Sequence, residues 1–161
     1  MINEEQELAR ERPAGPSLVF RTKVLLCALP LASVEEIMRP LPVKALEGVP
    51  PFVTGVSVIR GAAVPVVDAG LLLGREESTP TRLISLKVAD RRAALAVDEV
   101  LGIRALPAES MQDLPSLLQE AGGDVVEAIG TFDAELLLVL RGARIVPDSV
   151  WASVGSQDVS R

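Results

Sequence analysis

The sequence has no histidine and no tyrosine, a single cysteine and a single tryptophan, and aromatic residues make up only 2% of its 161 residues. Histidine is the commonest general base and metal ligand near neutral pH, so its absence removes much conventional catalysis and metal binding. Cys27 alone cannot form an intramolecular disulfide or a metal site built from cysteines. We therefore expect no enzyme activity, no cofactor and no metal site.

Positive charge is also scarce. The chain has 16 Lys and Arg against 22 Asp and Glu, a formal net charge of −6, with no basic block. Nucleic-acid binding normally needs a cationic surface and often stacking aromatic residues, so this class is disfavoured. No apolar run reaches the roughly 18–20 residues that span a bilayer, and residues 1–13 lack the apolar stretch of a secretory signal. We expect a cytoplasmic protein that does not insert into a membrane.

The chain is rich in aliphatic residues, and 48% of it is hydrophobic. From Ser17 onward, short apolar runs alternate with turn residues about every ten positions, which is typical of an all-β barrel or sandwich. About five strands fall on each side of a polar connector at residues 75–81, and each half fits a small closed barrel. We expect one domain over residues 17–154, a flexible tail at 1–16 and a short tail at 155–161.

The individual elements follow from the same signals. Strands are expected at residues 18–20, 24–29, 83–88, 92–100, 101–106, 125–132 and 136–140. Helices are expected at residues 113–121 and 143–151, with Trp151 as an anchor against the barrel.

Residues 33–37 carry a helix-start pattern. Ser33-Val34-Glu35-Glu36 fits the capping box S-x-x-E, in which Ser and Glu side chains bind backbone N–H groups. We expect a short helical turn here. Glu36 then either satisfies a backbone N–H or accepts a charged group of a partner, and Val34 is either a groove contact or part of the core.

Residues 55–68 read as a strand, a tight turn at Arg60-Gly61, and a second strand. Pro65 cannot donate to a β-ladder, so its strand is expected at a sheet edge or bulged there. Asp68 suits the N-cap of a short helix at residues 69–73. Its competing interpretation, as an aspartic-protease carboxylate, lacks the required hydroxyl residue.

Four segments in this order resemble the CheW family. They are Ala28-Leu29-Pro30-Leu31 with Val34-Glu35-Glu36-Ile37, Pro51-Phe52-Val53-Thr54-Gly55-Val56, Ile59-Arg60-Gly61 through Val64-Pro65-Val66-Val67-Asp68, and Ala96-Val97-Asp98-Glu99-Val100. The resemblance covers residues 17–153. It implies an all-β fold of two small five-stranded SH3-like barrels, packed together around a shared hydrophobic core with short helices.

The resemblance also implies a non-enzymatic adaptor with two partners. One is a CheA-type histidine kinase, bound on the first barrel, and the other is the cytoplasmic tip of a methyl-accepting chemoreceptor, bound in the groove between the barrels. A scaffold of the same fold in a non-chemotactic kinase pathway, controlling surface motility or second-messenger synthesis, is the alternative.

Family positions that affect receptor binding correspond to Val34, Glu36, Arg60 and Gly61, and Gly55 matches a family glycine. We expect an apolar receptor groove lined by Val34 and its neighbour Ile37, with Arg60 near one end. The kinase surface is expected on the first barrel, near Gly55. The competing interpretation of Arg60 is an ordinary exposed turn residue.

Overall fold

The computed structural model describes residues 15–113 and 124–159. Within these ranges the expected mostly-β fold with short helices is confirmed. The strands are β1 (Gly15–Thr22), β2 (Leu25–Pro30), β3 (Val34–Met38), β4 (Val53–Ile59), β5 (Ala62–Asp68), β6 (Arg82–Val88), β7 (Arg91–Val97), β8 (Glu99–Leu106), β9 (Met111–Asp113), β10 (Val126–Phe132) and β11 (Glu135–Leu140). The α-helices are α1 (Ala69–Leu72) and α2 (Asp148–Val159), and 3-10 turns lie at Leu31–Ser33, Ala108–Ser110 and Gly142–Arg144.

The strands form two sheets. The six-stranded sheet has the order β8-β1-β2-β11-β10-β9, and the five-stranded sheet has the order β3-β6-β7-β5-β4. The long-range contacts that set these orders are parallel pairings, of β2 with β11 and of β5 with β7. The six-stranded sheet thus joins the first two strands of the chain to its last four. The expectation that each half of the sequence builds one barrel is therefore wrong.

Each sheet curls around its own apolar interior. Strands β8 and β9 are opposite edges of the six-stranded sheet, yet only residues 107–110 connect them, and Leu106 and Met111 share one buried cluster. In the five-stranded sheet, the segment after β3 returns to the opposite edge, where Lys44 and Val56 exchange backbone hydrogen bonds of 2.8 Å. The first connection joins one end of β8 to β9 without a ladder between them, and the second pairs Lys44 with β4, so each sheet curls toward the closed form of a small barrel.

A third apolar cluster joins the two sheets. On one side it contains Leu18, Phe20 and Leu29 of the six-stranded sheet, and on the other Ile84 and Leu86 of the five-stranded sheet. Successive strand residues point to opposite faces, so one face of each strand fills its own barrel and the other fills this shared core. Each fully buried large aliphatic or aromatic side chain contributes about 1.5–3 kcal/mol. The shared hydrophobic core is the part of the fold that fixes the two sheets against each other.

The expected helical turn at residues 33–37 is wrong. Residues 34–38 form β3 instead, which pairs antiparallel with β6 and places Ile37 opposite Ile84 and Met38 opposite Leu83. Only the preceding 3-10 turn is helical, and no side chain caps it. The backbone ladder to β6, together with β-branched Val34 and Ile37, outweighs the local capping pattern.

The expectation that the strand of Pro65 lies at a sheet edge or is bulged at Pro65 is also wrong. Strand β5 lies between β7 and β4, and its register with β4 shifts near Val53 rather than at Pro65. Pro65 stands opposite Val56, whose backbone groups bond Lys44 instead, and β5 begins to pair with β7 only at Val66. The missing N–H of Pro65 therefore costs no ladder bond, and a central strand can accept it.

Of the three expected helices, one is confirmed, one begins later than expected, and one lies almost entirely outside the described residues. Asp68 caps α1 by accepting the Leu71 N–H at 3.0 Å, which confirms the N-cap interpretation. The C-terminal helix begins at Asp148 rather than at residue 143 and continues to Val159. The helix expected at 113–121 lies outside the described residues except for Asp113, which ends β9.

The connector between α1 and β6 links the two sheets. Both carboxylate oxygens of Asp68, at the end of β5, accept the Ser78 N–H at 3.1 Å. Ser78 is buried, and its hydroxyl pairs with that of Thr22, at the end of β1, at 2.8 Å. Asp98, between β7 and β8, accepts the Thr79 N–H at 2.7 Å. This polar network holds the end of the six-stranded sheet next to the end of the five-stranded sheet.

Candidate functional site

Two of the predicted receptor-binding residues, Glu36 on β3 and Arg60 after β4, form an ion pair. Nε of Arg60 donates to Oε1 of Glu36 at 3.0 Å, and Nη2 donates to Oε2 at 2.7 Å. The exposed fractions of the two side chains are 31% for Glu36 and 66% for Arg60. The helix-capping interpretation of Glu36 is wrong, because no helix begins here and both of its oxygens accept from Arg60.

Arg60 and Gly61 form the tight turn between β4 and β5, as predicted. Their φ angles are 51° and 78°, and type I′ hairpin turns require positive φ at both central positions. Glycine adopts this conformation freely, whereas an L-residue with a Cβ, such as arginine, pays a strain energy for it. The turn and the Glu36 carboxylate together fix the direction of the guanidinium.

Val34 lies on the other face of β3. It stands opposite Leu86, a member of the shared core, whereas Glu36 stands opposite Ser85 on the reverse face. The half-buried Val34 side chain packs against the shared core. The structure therefore brings Glu36, Arg60 and Gly61 together and places Val34 at the rim of the core instead.

Gly55 has a structural requirement of its own. Its φ is 149°, and a Cβ at this position would overlap the backbone carbonyl oxygen of Lys44. The glycine therefore lets the segment after β3 pair with β4. Gly55 lies in the five-stranded sheet, whereas β1 and β2 lie in the six-stranded sheet, so the strands of the first half of the chain are divided between the two sheets.

Further charged contacts surround this end of the five-stranded sheet, and none of them was predicted from the sequence. Nε of Arg92 on β7 lies 3.0 Å from Oε2 of Glu35, and the guanidinium of Arg91 lies 5.2 Å from the centre of the Trp151 ring. Trp151 is half-buried against the shared core, which confirms it as an anchor of the chain end. The partners are on elements far apart in sequence, and the adjacent pairs of like charges, Glu35-Glu36 and Arg91-Arg92, were the one local signal.

The described residues hold no group of three or more potential ligands that could bind a metal ion. Burial raises the pKa of the Cys27 thiol to about 12, as expected of a small core residue rather than a nucleophile. No helix in the part of the chain that the structure describes is long and apolar enough to cross a membrane.

The ion pair makes a testable prediction about titration. The hydrogen bonds from Arg60 hold the pKa of the Glu36 carboxyl below its ordinary value. Arg60→Gln should raise this pKa, whereas Arg92→Gln, which removes only a weaker charge effect, should raise it less. The stabilisation from the pair is present above the ordinary carboxyl pKa and is lost as pH falls through the lowered one. NMR titration of the Glu36 side-chain carbon measures both variants, and an unchanged pKa in Arg60→Gln would contradict the geometry.

Comparison with known proteins gives a family. The CheW-like domain matches residues 16–150 of this chain. Protein FrzA of Myxococcus xanthus is 32% identical over 141 residues, covering 81% of this chain and 85% of FrzA. The probable chemotaxis protein CheW of Rhizobium etli is 26% identical over 113 residues, covering 68% of this chain and 73% of that protein. Protein PilI of Pseudomonas aeruginosa is 33% identical over 102 residues, covering 61% of this chain and 57% of PilI.

A solved structure shows the same fold. The scaffolding protein TtCheW from Thermoanaerobacter tengcongensis matches with a TM-score of 0.71 at 21% sequence identity, covering 80% of this chain and 90% of TtCheW. The family match confirms the prediction of a non-enzymatic scaffold. Proteins of this family couple receptors to the kinase CheA or to an equivalent. On the extent of the family match and the shared fold, the chain belongs to the family of CheW-like domains.

Proposed function

We propose that this scaffold is a cytoplasmic adaptor that couples the tip of a methyl-accepting chemoreceptor to a CheA-type histidine kinase. The relative from Rhizobium etli, named a probable chemotaxis protein, supports a role in chemotaxis. The single observation that carries the receptor part is an apolar rim around the shared core, to which both sheets contribute.

On the five-stranded sheet the rim consists of Val34 and Ile37. The register shift between Val34 and Glu36 puts both aliphatic residues on the face that meets the shared core, opposite Leu86 and Ile84. Ile37 is 42% exposed. An exposed aliphatic side chain indicates an interaction surface when it belongs to a larger apolar patch, and Ile37 is proposed here as part of the same patch as Val34.

On the six-stranded sheet the rim consists of Ile129, Leu136 and Leu138. Ile129 and Leu138 stand opposite each other and pack, half-buried, against the shared core. Leu136 follows on the same face and is 58% exposed, and it shares with Ile129 a pocket of about 330 Å³ that polar residues of the 109–112 segment also line. These three residues were not predicted as part of a binding surface, because their alternation alone does not tell which face of the strand meets the second sheet.

An apolar rim beside a fixed ion pair suits the binding of a helical receptor tip. An amphipathic helix binds a groove by burying its apolar face there, and a few fixed polar groups set its orientation. Here the rim supplies the apolar area, and the exposed Glu36–Arg60 pair supplies a donor and an acceptor that are already fixed in direction.

For the kinase we propose a separate surface on β4, near Gly55. Val58 on this strand is 72% exposed, and Val43, which lies against Gly55, is also exposed. β4 is an edge of the five-stranded sheet. Val58 is not one of the rim residues, so the proposal assigns the kinase and the receptor tip to different side chains of one molecule.

The alternative is a CheW-like scaffold in a kinase pathway other than chemotaxis, such as one that controls surface motility or second-messenger synthesis. One observation favours it: the relatives at 32% and 33% identity are named FrzA and PilI, whereas two relatives named CheW are 26% and 24% identical. The identity of the kinase that co-purifies with this chain from its native cells distinguishes the two pathways.

The receptor surface is tested by titrating a labelled helical hairpin of the receptor tip with purified variants. Ile37→Lys places a charge in the apolar rim, and Arg60→Glu reverses the fixed cation. We expect each to weaken binding at least about tenfold. The matched controls are Val24→Lys, in the β1–β2 turn, and Arg82→Glu, at the exposed start of β6, and both should bind as the unsubstituted protein does.

The double variant Glu36→Arg with Arg60→Glu separates two roles of the ion pair. It restores attraction with the charges exchanged, so a purely structural role predicts recovered affinity, and direct contact with the receptor predicts continued loss. Unchanged affinity in both Ile37→Lys and Arg60→Glu would overturn the proposed receptor surface.

A further inference from the structure

In the described part of the chain, strand β8 has a strand partner on only one side of its backbone. It is an edge of the six-stranded sheet, and among the described residues only β1 pairs with it. An open edge of eight residues is a surface on which another β-strand can form hydrogen bonds. The outer side of β8 is therefore a candidate interaction surface.

The hydrogen bonds of β1 show which groups point outward. The carbonyl of Arg21 accepts the N–H of Asp98, so this residue and every second residue before it on β1 face β8. Val19 is one of these, and its partner on β8 is Gly102. Backbone groups alternate in direction along a strand, so Ile103, the next residue, directs its N–H and C=O away from β1.

The guanidinium of Arg104 occupies the outward carbonyls. Nη1 donates to the carbonyl of Ile103 at 2.9 Å, and Nη2 donates to that of Leu101 at 3.4 Å. Leu101 is the extra residue of the bulge opposite the step from Val19 to Phe20. One side chain thus covers two acceptors that an added strand would need.

Gly102 makes room for this arrangement. A Cβ at position 102 would lie 2.9 Å from Nη1 of Arg104, and the φ angle of Gly102 is 120°. Any other residue would therefore be strained and would displace the guanidinium. The bulge, the glycine and the arginine act together at one point of the edge.

We propose that the outer edge of β8 is a pairing surface for the same strand of a second copy of this chain, and that Arg104 keeps it closed. An edge strand is complementary to itself in antiparallel pairing, because the N–H and C=O of Ile103 in one copy can bond the C=O and N–H of Ile103 in the other. Ile103 is 55% exposed, so such pairing would also bury an apolar side chain on each copy. This inference concerns self-association and does not depend on the proposed receptor or kinase surfaces.

The test is the association of Arg104→Ala, measured by sedimentation over a concentration series. We expect the dissociation constant for dimers to fall at least about tenfold relative to the unsubstituted protein. The amide of Ile103 should also become protected from hydrogen exchange in the variant, which identifies the edge as the contact.

Two further variants make the result specific. Arg82→Ala removes another exposed arginine that bonds a neighbouring carbonyl, that of Thr81 at 2.7 Å, but it lies on β6, between β3 and β7, and should not change association. Adding Ile103→Pro to Arg104→Ala removes the outward N–H together with the exposed isoleucine side chain and should reverse the dimerisation. Equal dissociation constants with and without Arg104, or dimers in which the Ile103 amide still exchanges freely, would overturn the proposal.

Discussion

Replacing Gly55 by alanine is expected to destabilise the folded protein by about 4 kcal/mol. Two costs add at this position. The φ angle of 149° is one that residues with a Cβ rarely adopt, and the new methyl group would overlap the carbonyl oxygen of Lys44. Relief of the overlap would break the two hydrogen bonds between Lys44 and Val56, which close the five-stranded sheet.

The measurement is urea denaturation of Gly55→Ala beside Gly48→Ala. Gly48 has a similarly positive φ, 72°, but a Cβ there would meet no atom within 4 Å. Its replacement by alanine should lower the free energy of unfolding by only about 1 kcal/mol, because only the strain of the positive φ remains. Equal losses in the two variants would show that the close approach of Lys44 does not limit residue 55.

Replacing Asp68 by alanine is expected to cost about 3 kcal/mol. The carboxylate is buried and accepts the N–H of Leu71 at 3.0 Å and the N–H of Ser78 at 3.1 Å to each oxygen. Its removal leaves the buried N–H of Ser78 and the half-buried N–H of Leu71 without an acceptor and uncaps α1. It also releases the connector that joins the two sheets through Ser78 and Thr22.

Chemical denaturation of Asp68→Ala is to be compared with Asp68→Asn and with Asp90→Ala. The asparagine side chain keeps one oxygen that can accept a hydrogen bond, so Asp68→Asn should lose less stability than Asp68→Ala. Asp90 is exposed in the β6–β7 turn, and its replacement should change stability by less than about 0.5 kcal/mol. A loss in Asp68→Ala no larger than that in Asp90→Ala would contradict the role assigned to the buried carboxylate.

Features that depend on near neighbours in sequence could be predicted. The Arg60-Gly61 turn follows from a glycine between two apolar runs, and the cap of α1 follows from an aspartate before a short helix. Both signals lie within a few residues of the structure they produce. The shared core was an expectation from the family resemblance, and the apolar runs are compatible with it because both faces of the strands are buried.

Features that depend on distant partners could not be predicted from the residues alone. The capping box at Ser33 is a valid local signal, but β6 decides that the segment is a strand, and Arg60 on another hairpin decides what Glu36 binds. Pro65 is tolerated because Lys44 takes the backbone groups of Val56, a contact with no local signature. The pairing of β2 with β11 likewise joins opposite ends of the chain, so the division into halves at the connector did not hold.

The most direct test of the adaptor function is a co-sedimentation measurement with receptor-bearing vesicles and the CheA-type kinase from the same organism. The proposed function predicts that the kinase sediments with the vesicles only when this chain is present. It also predicts that Ile37→Lys detaches both proteins from the vesicles, whereas Val58→Lys leaves the chain bound but loses the kinase. Kinase recruitment that is equal with and without the chain, or a chain that binds neither partner, would contradict the coupling function.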